Sequence, residues 1–438
     1  MQKRTKILLA VSVLLAVLLL AAIGFLYYRT TPHYSLRHEH YADVTLDDGT
    51  VIRVVRRPNM EEKSFYNELV IKEIQYLGSD TLVLPSSVGG YPVTEIGYFA
   101  APFFLDGVDF RNGIKSLTLP DGLISFDYVG QLFGLETLHV GKATAYLAHL
   151  DPQKLQTITV HPDNTRYRVE GNCLIDKQTN SVALGTVNSV IPEGITAIDV
   201  CAFYWRHIAE LSLPNSLQSI GNSALAFTDI TALTLPEGLT ALGSGSFAGI
   251  KIKELVLPAG ISAIPEDLLF ACSELESLTI GKNVTAIDSS AFWYCKGLRE
   301  IVIDLENPNY YVDGTSLVEK DSDRLVLYFG NEPLSKKVRV IGTSSITDLK
   351  APIRKIALPS GVEEIEELSI CGNGDLIAAF IPSSVTKIEK SGIILPGGTI
   401  YCEAAEKPSG WDEKWTSGSA TVHFGCSLEE FLTLENQP

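Results

Sequence analysis

The sequence predicts a β-rich solenoid of short stacked parallel strands, carried behind one N-terminal transmembrane helix. Three observations lead there. Prolines at 192, 214, 236 and 258 close one short apolar motif at a spacing of 22 residues. A longer segment, 155–184, returns as 298–327 without a gap. Residues 7–26 contain no charged side chain.

The period organises the rest of the chain. Ser189-Val-Ile-Pro192 is followed by Leu211-Ser-Leu-Pro214, Leu233-Thr-Leu-Pro236, Leu255-Val-Leu-Pro258 and Leu278-Thr-Ile-Gly281. An L-x-L step makes a short strand with two side chains inward and the middle one outward. The proline after it has no N–H and ends the strand where the ladder needs no donor. One such unit cannot bury its apolar face alone, but neighbours stacked at roughly 4.8 Å can. A period of this length with an L-x-L core reads as a leucine-rich repeat solenoid. A second apolar pair follows in each unit: Ile195 and Ile198, Leu217 and Ile220, Leu239 and Leu242, Ile261 and Ile264, Val284 and Ile287. Then comes a small-plus-aromatic step, read as Ala202-Phe203, Ala226-Phe227, Phe247-Ala248, Phe270-Ala271 and Ala291-Phe292. That step is expected to fill the far side of each coil with stacked rings.

At the N-terminus, Lys3, Arg4 and Lys6 precede the apolar run and Tyr27-Tyr28-Arg29 follow it. About twenty apolar residues span a bilayer, and the leading positive charge keeps the N-terminus cytoplasmic. Residues 1–6 are therefore expected in the cytoplasm, 7–28 as an uncleaved signal-anchor helix, and the remainder outside. A cleaved signal peptide is the competing reading; against it, the run is long and no clear A-x-A site follows. Residues 29–41 read as a polar juxtamembrane linker, with His33, His38 and His40 solvated rather than metal-bound.

Residues 42–100 read as an N-terminal β cap and first repeat. Asp47-Asp48-Gly49 between alternating runs is a hairpin signal, and a solenoid end needs a cap to cover its core. Residues 101–398 are the repeat array, with β-hairpin insertions at 162–184 and 305–327. Asn164, Tyr167, Val169, Gly171, Leu174, Lys177 and Leu184 correspond to Asn307, Tyr310, Val312, Gly314, Leu317, Lys320 and Leu327. Each insertion is either a structural variant of the rung or a ligand loop. Residues 399–438 form a C-terminal cap, in which Trp411 and Trp415 are expected to cover the open core. Ser427-Leu-Glu-Glu430 fits a capping box for a short helix.

A net charge of −17 makes nucleic acid and anionic membrane surfaces poor partners for the folded part. The chain has no G-x-S-x-G, H-E-x-x-H, Walker loop or C-x-x-C. No catalytic residue, cofactor or metal site is expected, and the chain is not expected to be an enzyme. Seven cysteines are an odd number. Cys272 and Cys295 lie one repeat apart and should stack, as buried apolar side chains or as a disulfide. Cys402 and Cys426 flank the terminal cap and are the candidate disulfide. An unpaired thiol in an exported chain suits a reducing niche.

The unit LxLPxxLxxIxxxAFxxC, the stretch Gly89-Gly-Tyr-Pro-Val-Thr-Glu-Ile96, the Tyr-x-Val-x-Gly hairpins and the ending Ile400-Tyr-Cys-Glu-Ala404…Pro408-Ser-Gly-Trp411 resemble BspA-type leucine-rich repeat proteins. The resemblance runs from about Leu82 to Gly425. It implies a bacterial surface or secreted repeat protein, of a family in which some members bind host matrix proteins or other bacteria. It carries no catalytic residues, and this chain lacks the extra binding or wall-anchoring modules of larger members.

The outward positions of the L-x-L strands form the candidate binding face: Glu210, Ser212, Thr234, Glu254, Val256, Thr279 and Glu300. Ala232, Ser277 and Val302 continue the strip. It is small, β-prone and mildly acidic, without the Tyr, Trp and Arg of typical hot spots. Tyr204-Trp205 and Trp293-Tyr294 are either exposed rings beside the Phe step or core. The expected function is protein–protein recognition or adhesion at the cell surface, with an unidentified host or bacterial protein as ligand. The rival is an envelope-associated scaffold without a host ligand, held close to the membrane by its short linker.

Overall fold

Short strands recur wherever two inward apolar side chains flank one outward residue. The structure, a computed structural model, describes residues 42–59, 64–96, 113–127, 132–148, 150, 152–330, 332–347, 353–372, 376–417 and 419–434. The expected cytoplasmic segment 1–6, signal-anchor helix 7–28 and linker 29–41 lie outside them. Among the described residues no helix is long and apolar enough to cross a membrane. The chain divides into two compact units. One comprises residues up to Pro152 with Thr159–Tyr167; the other comprises Gln153–Ile158 and Arg168–Pro438.

In the first unit, Ala42–Thr45 and Val51–Asn59 pair antiparallel around the Asp-Asp-Gly turn, with Ala42 opposite Val54. Gly49 turns at φ 85°, a left-handed conformation open to glycine at no steric cost. Ser64–Tyr76 pairs antiparallel with Val51–Asn59 and parallel with Tyr91–Ile96. Ser125–Asp127 and then Tyr146–Ala148 continue that sheet in parallel. Antiparallel pairing thus gives way to parallel stacking, which needs a full coil between strands. A second sheet stacks Thr81–Val83, Ser116–Thr118 and Thr137–Val140. It sets Leu82, Leu117 and Leu138 in one buried column.

The second unit repeats this stacking on three sides of each coil. On the L-x-L side, Glu254–Val256, Ser277–Ile280 and Glu300–Ile303 pair in parallel register. Lys355–Ala357, Ala378–Ile381, Thr399–Cys402 and Thr421–Phe424 do the same further on. The earlier motifs at 211–214 and 233–236 carry only one isolated bridge, Glu210 with Ala232. The second apolar pair also forms strands: Ala197–Ile198, Ser219–Ile220 and Ala241–Leu242 are parallel, with Ile198, Ile220 and Leu242 in one column.

The third side differs from the sequence reading. Here the backbone itself forms the ladder. Phe203 N donates to Ala224 O, Leu225 N to Ser246 O, Phe247 N to Leu268 O and Leu269 N to Ala291 O, at 2.8–3.1 Å. The buried column is therefore Phe203, Leu225, Phe247, Leu269 and Phe292. Ala226-Phe227 and Phe270-Ala271 sit one to two residues past it. The ladder sets the register, and Leu225 and Leu269 fill the core there as well as rings do.

The two copies, 143 residues apart, share their hairpin geometry. Cys173–Asp176 pairs antiparallel with Ser181–Leu184, and Ser316–Glu319 with Arg324–Tyr328. Leu174 lies opposite Leu184 and Leu317 opposite Leu327, each with a register shift at the next residue. The second strand of each hairpin then passes in parallel into the rung sheet, Ser181–Leu184 onto Ala197–Ile198 and Arg324–Tyr328 onto Val340–Ile341. Each hairpin is preceded by a buried asparagine. Asn164 Nδ2 donates to Gly141 O and Thr144 O, while its Oδ1 accepts from Arg166 N and Tyr167 N. Asn307 does the same with Gly281 O, Val284 O, Asn309 N and Tyr310 N.

At the C-terminal end, Trp411 and Trp415 are buried edge to face, with ring centroids 4.7 Å apart. Trp411 Nε1 donates to Val385 O at 3.0 Å, which lets a polar group enter the core without loss. The helix Leu428–Thr433 starts on a complete capping box between Ser427 and Glu430. It lays Phe431 against Phe380 and Tyr401.

Candidate recognition surfaces

Two outward surfaces of the second unit carry residues that the core does not use. On the L-x-L sheet, Glu254, Ser277 and Glu300 align in one row and Val256, Thr279 and Val302 in the next. Alternation along each strand forces this, since Leu255, Leu278 and Ile301 point inward. Val256 is 61% exposed and Val302 44%. Thr279 between them is half-buried, and Ser277 Oγ donates to Glu300 Oε2 at 3.3 Å. The sheet thus brings Glu254, Val256, Thr279 and Glu300 together. Glu210, Ser212 and Thr234 are exposed but lie outside the paired strands.

The second surface lies on the turn side. Five successive coils there pass through a left-handed residue at the same position: Trp205 (φ 57°), Phe227 (57°), Gly249 (67°), Ala271 (60°) and Tyr294 (62°). Their N–H groups continue the ladder, Trp205 to Ala226 O, Phe227 to Ala248 O, Gly249 to Phe270 O and Ala271 to Trp293 O. A Cβ is crowded in this conformation, at roughly 1–2 kcal/mol per residue, and bulky side chains are rare in it. Yet three of these five positions hold aromatic rings. Nor are the rings core: Trp205 is 42% exposed, Phe227 37% and Tyr294 45%.

The rings at the first two positions meet. Trp205 and Phe227 have centroids 5.6 Å apart at 44°, and Tyr204 lies 6.0 Å from Phe227 at 82°. Gly249 makes room beneath, because a Cβ there would stand 2.4 Å from Phe227 Cδ1. Further along, Phe270 and Tyr294 meet edge to face at 5.4 Å. Under the first cluster, Arg206 is fully buried, with Nε donating to Gly185 O and Nη1 to Tyr204 O at 3.1 Å each. Beside it, Asp229 pairs with Lys251 Nζ at 2.6 Å and meets His207 Nδ1 at 2.9 Å. Lys251 first, then His207, holds the Asp229 carboxyl below the usual range. The open alternative for Tyr204-Trp205 and Trp293-Tyr294 resolves unevenly, with Trp205 and Tyr294 outward and Tyr204 and Trp293 half-buried. The signal for the turn column was its 22-residue spacing together with Gly249.

Cys173, Cys272 and Cys402 are buried, and the other four cysteines are half-buried. Cys272 Sγ donates to Phe247 O and Cys295 Sγ to Leu269 O, each at 3.0 Å. Those carbonyls occupy one column, so the two thiols are equivalent stacked positions. Burial pushes the Cys272 thiol up to about 12. Cys402 and Cys426 are thiols in this structure. They are neighbours, Cys426 N donating to Cys402 O at 3.0 Å. Burial, and then the closeness of Cys426, pushes the Cys402 thiol up to about 12. Among the described residues no group of three or more His, Cys, Asp or Glu side chains could hold a metal ion.

Residues 185–309 and 331–392 match the family described as BspA type Leucine rich repeat region, in six copies. The chain carries BspA-type leucine-rich repeats. Their span takes in the L-x-L sheet and the turn column described above. The chain is also similar to a leucine-rich cell surface protein from Faecalibacterium prausnitzii A2-165, at 14% identity over 91% of this chain and 99% of that one, with a TM-score of 0.37. It is similar to a leucine-rich repeat protein from Eubacterium ventriosum ATCC 27560, at 13% identity over 84% and 97%, with a TM-score of 0.39. Pneumococcal vaccine antigen PcpA is similar at 17% identity over 89% of each chain, with a TM-score of 0.32. At these identities and scores no ligand or residue role is transferred from them. No curated protein matches the chain.

Proposed function

We propose that this chain is a membrane-anchored, extracytoplasmic repeat protein that recognises protein partners at the cell surface. The observation that carries the reading is the outward row Val256, Thr279 and Val302, exposed at both valines and flanked in register by Glu254, Ser277 and Glu300. Exposed β-branched side chains repeated over adjacent rungs do nothing for the core, and a partner gains from covering them. Each rung contributes a little, and a long partner engages several at once. The residues named above lie on outward surfaces, where a protein partner can reach them. The charge-free run 7–26 behind Lys3, Arg4 and Lys6 supports the anchor.

Protease shaving of intact cells tests the placement. Release of fragments from the 42–438 region is the expected result. Protection until the cell wall is stripped would sink the surface role and leave the envelope scaffold. Val256→Lys with Val302→Lys tests the face: both positions are solvent-facing, so folding should persist while partner capture falls.

A further inference from the structure

We infer that the ring cluster formed by Trp205 and Phe227, with Tyr204 at its side, is a docking site for an extended basic segment of a partner protein. Lys or Arg side chains of that segment would lie over the ring faces. The inference deepens the recognition reading above and rests on it.

The first support is the placement of the rings. A turn that needs a left-handed residue is served by glycine, as at Gly249. The chain instead places Trp205 and Phe227 there and leaves both more than a third exposed. Core packing does not account for that choice, since both rings face outward. The second support is shape. Gly249 clears the space against which the Phe227 ring rests, and Trp205 stands 5.6 Å from it. The buried Arg206 ties the backbone under Tyr204 through its bond to the Tyr204 carbonyl, so the platform is built before a partner arrives.

Charge selects the partner. Aromatic faces attract cations, and the chain around them carries a net charge of −17. Beside the rings, Arg206 is buried on carbonyls, and Asp229 holds Lys251 and the His207 ring. Asp199, Glu266, Asp267 and Asp288 lie on the turns that lead into the same side of the coils. A basic peptide is therefore complementary, whereas an acidic one is repelled.

The test titrates the purified full-length chain with an Arg-Gly-Ser repeat peptide, following tryptophan emission. Trp205 is the outward indole, Trp293 is half-buried, and Trp411 and Trp415 are buried. A citrulline version of the peptide, with the same shape and no charge, is the paired probe. Binding of the arginine peptide is expected to exceed that of the citrulline peptide at least tenfold. Trp205→Gly and Phe227→Gly, read by calorimetry because one removes the reporter, should each lower affinity at least tenfold. Glycine suits both backbone positions, so the thermal midpoint should hold or rise, separating lost binding from lost folding. Unchanged affinity in the folded glycine variants would overturn the proposal. So would equal binding of the citrulline peptide, or preference for a neutral proline-rich peptide or an oligosaccharide. The shaving experiment reports only where the domain sits, so its failure leaves this result readable.

Discussion

Replacing Asn307 by alanine should destabilise the second unit by about 4 kcal/mol, although it removes no apolar contact of note. Asn307 is fully buried and closes four hydrogen bonds. Its Oδ1 accepts from Asn309 N and Tyr310 N at 2.9 Å each. Alanine leaves both amides without that acceptor, at about 1.5 kcal/mol each within the usual range for an unsatisfied buried group. The two carbonyls lose less. Gly281 O keeps a bond from Val284 N at 3.4 Å, and Val284 O keeps one from Asn309 Nδ2 at 3.5 Å. Together they add about 1 kcal/mol. The assay is urea unfolding of the purified chain by circular dichroism, with Asn309→Ala as control. Asn309 contributes through its side chain only that 3.5 Å bond, so its loss should stay under about 1 kcal/mol. A folded Asn307→Ala chain that loses no more than this control would refute the reasoning. It would show that water replaces the amide, and that the hairpin is not held by its asparagine.

Phe247→Ala should cost about 3–5 kcal/mol as a core truncation, and Phe227→Ala no more than about 1, because Phe227 is outward; equal losses in urea unfolding would restore the register in which both rings are core. Burial alone would raise the Glu366 carboxyl, but bonds from Arg324 at 2.7 and 2.9 Å and from Thr343 N at 2.8 Å outweigh it and hold the group below 4.5. A lowered folded-state value means the contribution is complete above about pH 4.5 and is lost as pH falls through the folded value. Stability measured from pH 6 down to 3 should therefore fall less steeply in Glu366→Gln, and an unchanged slope would count against the pair. Iodoacetamide at neutral pH should label the half-buried Cys201, Cys371 and Cys426 before Cys173, Cys272 and Cys402. Burial pushes those last three thiols up to about 11, 12 and 12. Mass spectrometry reads the order. After oxidation, digestion without reduction should join Cys402 to Cys426, and two intact thiols there would speak against the bridge.

The strands were legible where side chains alone decide which way a residue faces. Leu255, Leu278 and Ile301 alternate with exposed neighbours, and the two hairpins announce themselves by recurring at one fixed spacing. Pairing was less legible than facing. Glu210, Ser212 and Thr234 point outward as their alternation requires, yet only Glu210 and Ala232 form a bridge there. Alternation reports the direction of a side chain and says nothing about whether the neighbouring backbone comes within hydrogen-bond reach. The turn side was misread for a related reason. Ala202-Phe203 and Ala226-Phe227 are alike as dipeptides, but backbone N–H groups set the register, and these place Leu225 beside Phe203. The spacing of 22 residues carried the right alignment, and matching residue types overrode it. Once the alignment follows the spacing, Trp205, Phe227, Gly249, Ala271 and Tyr294 fall into one left-handed column. Gly249 is the one residue in it whose type suggests that conformation. A column in which four of five residues sit against their own backbone preference cannot be found from propensity. That same conflict between residue type and backbone marks it as a place where something other than folding chose the side chains.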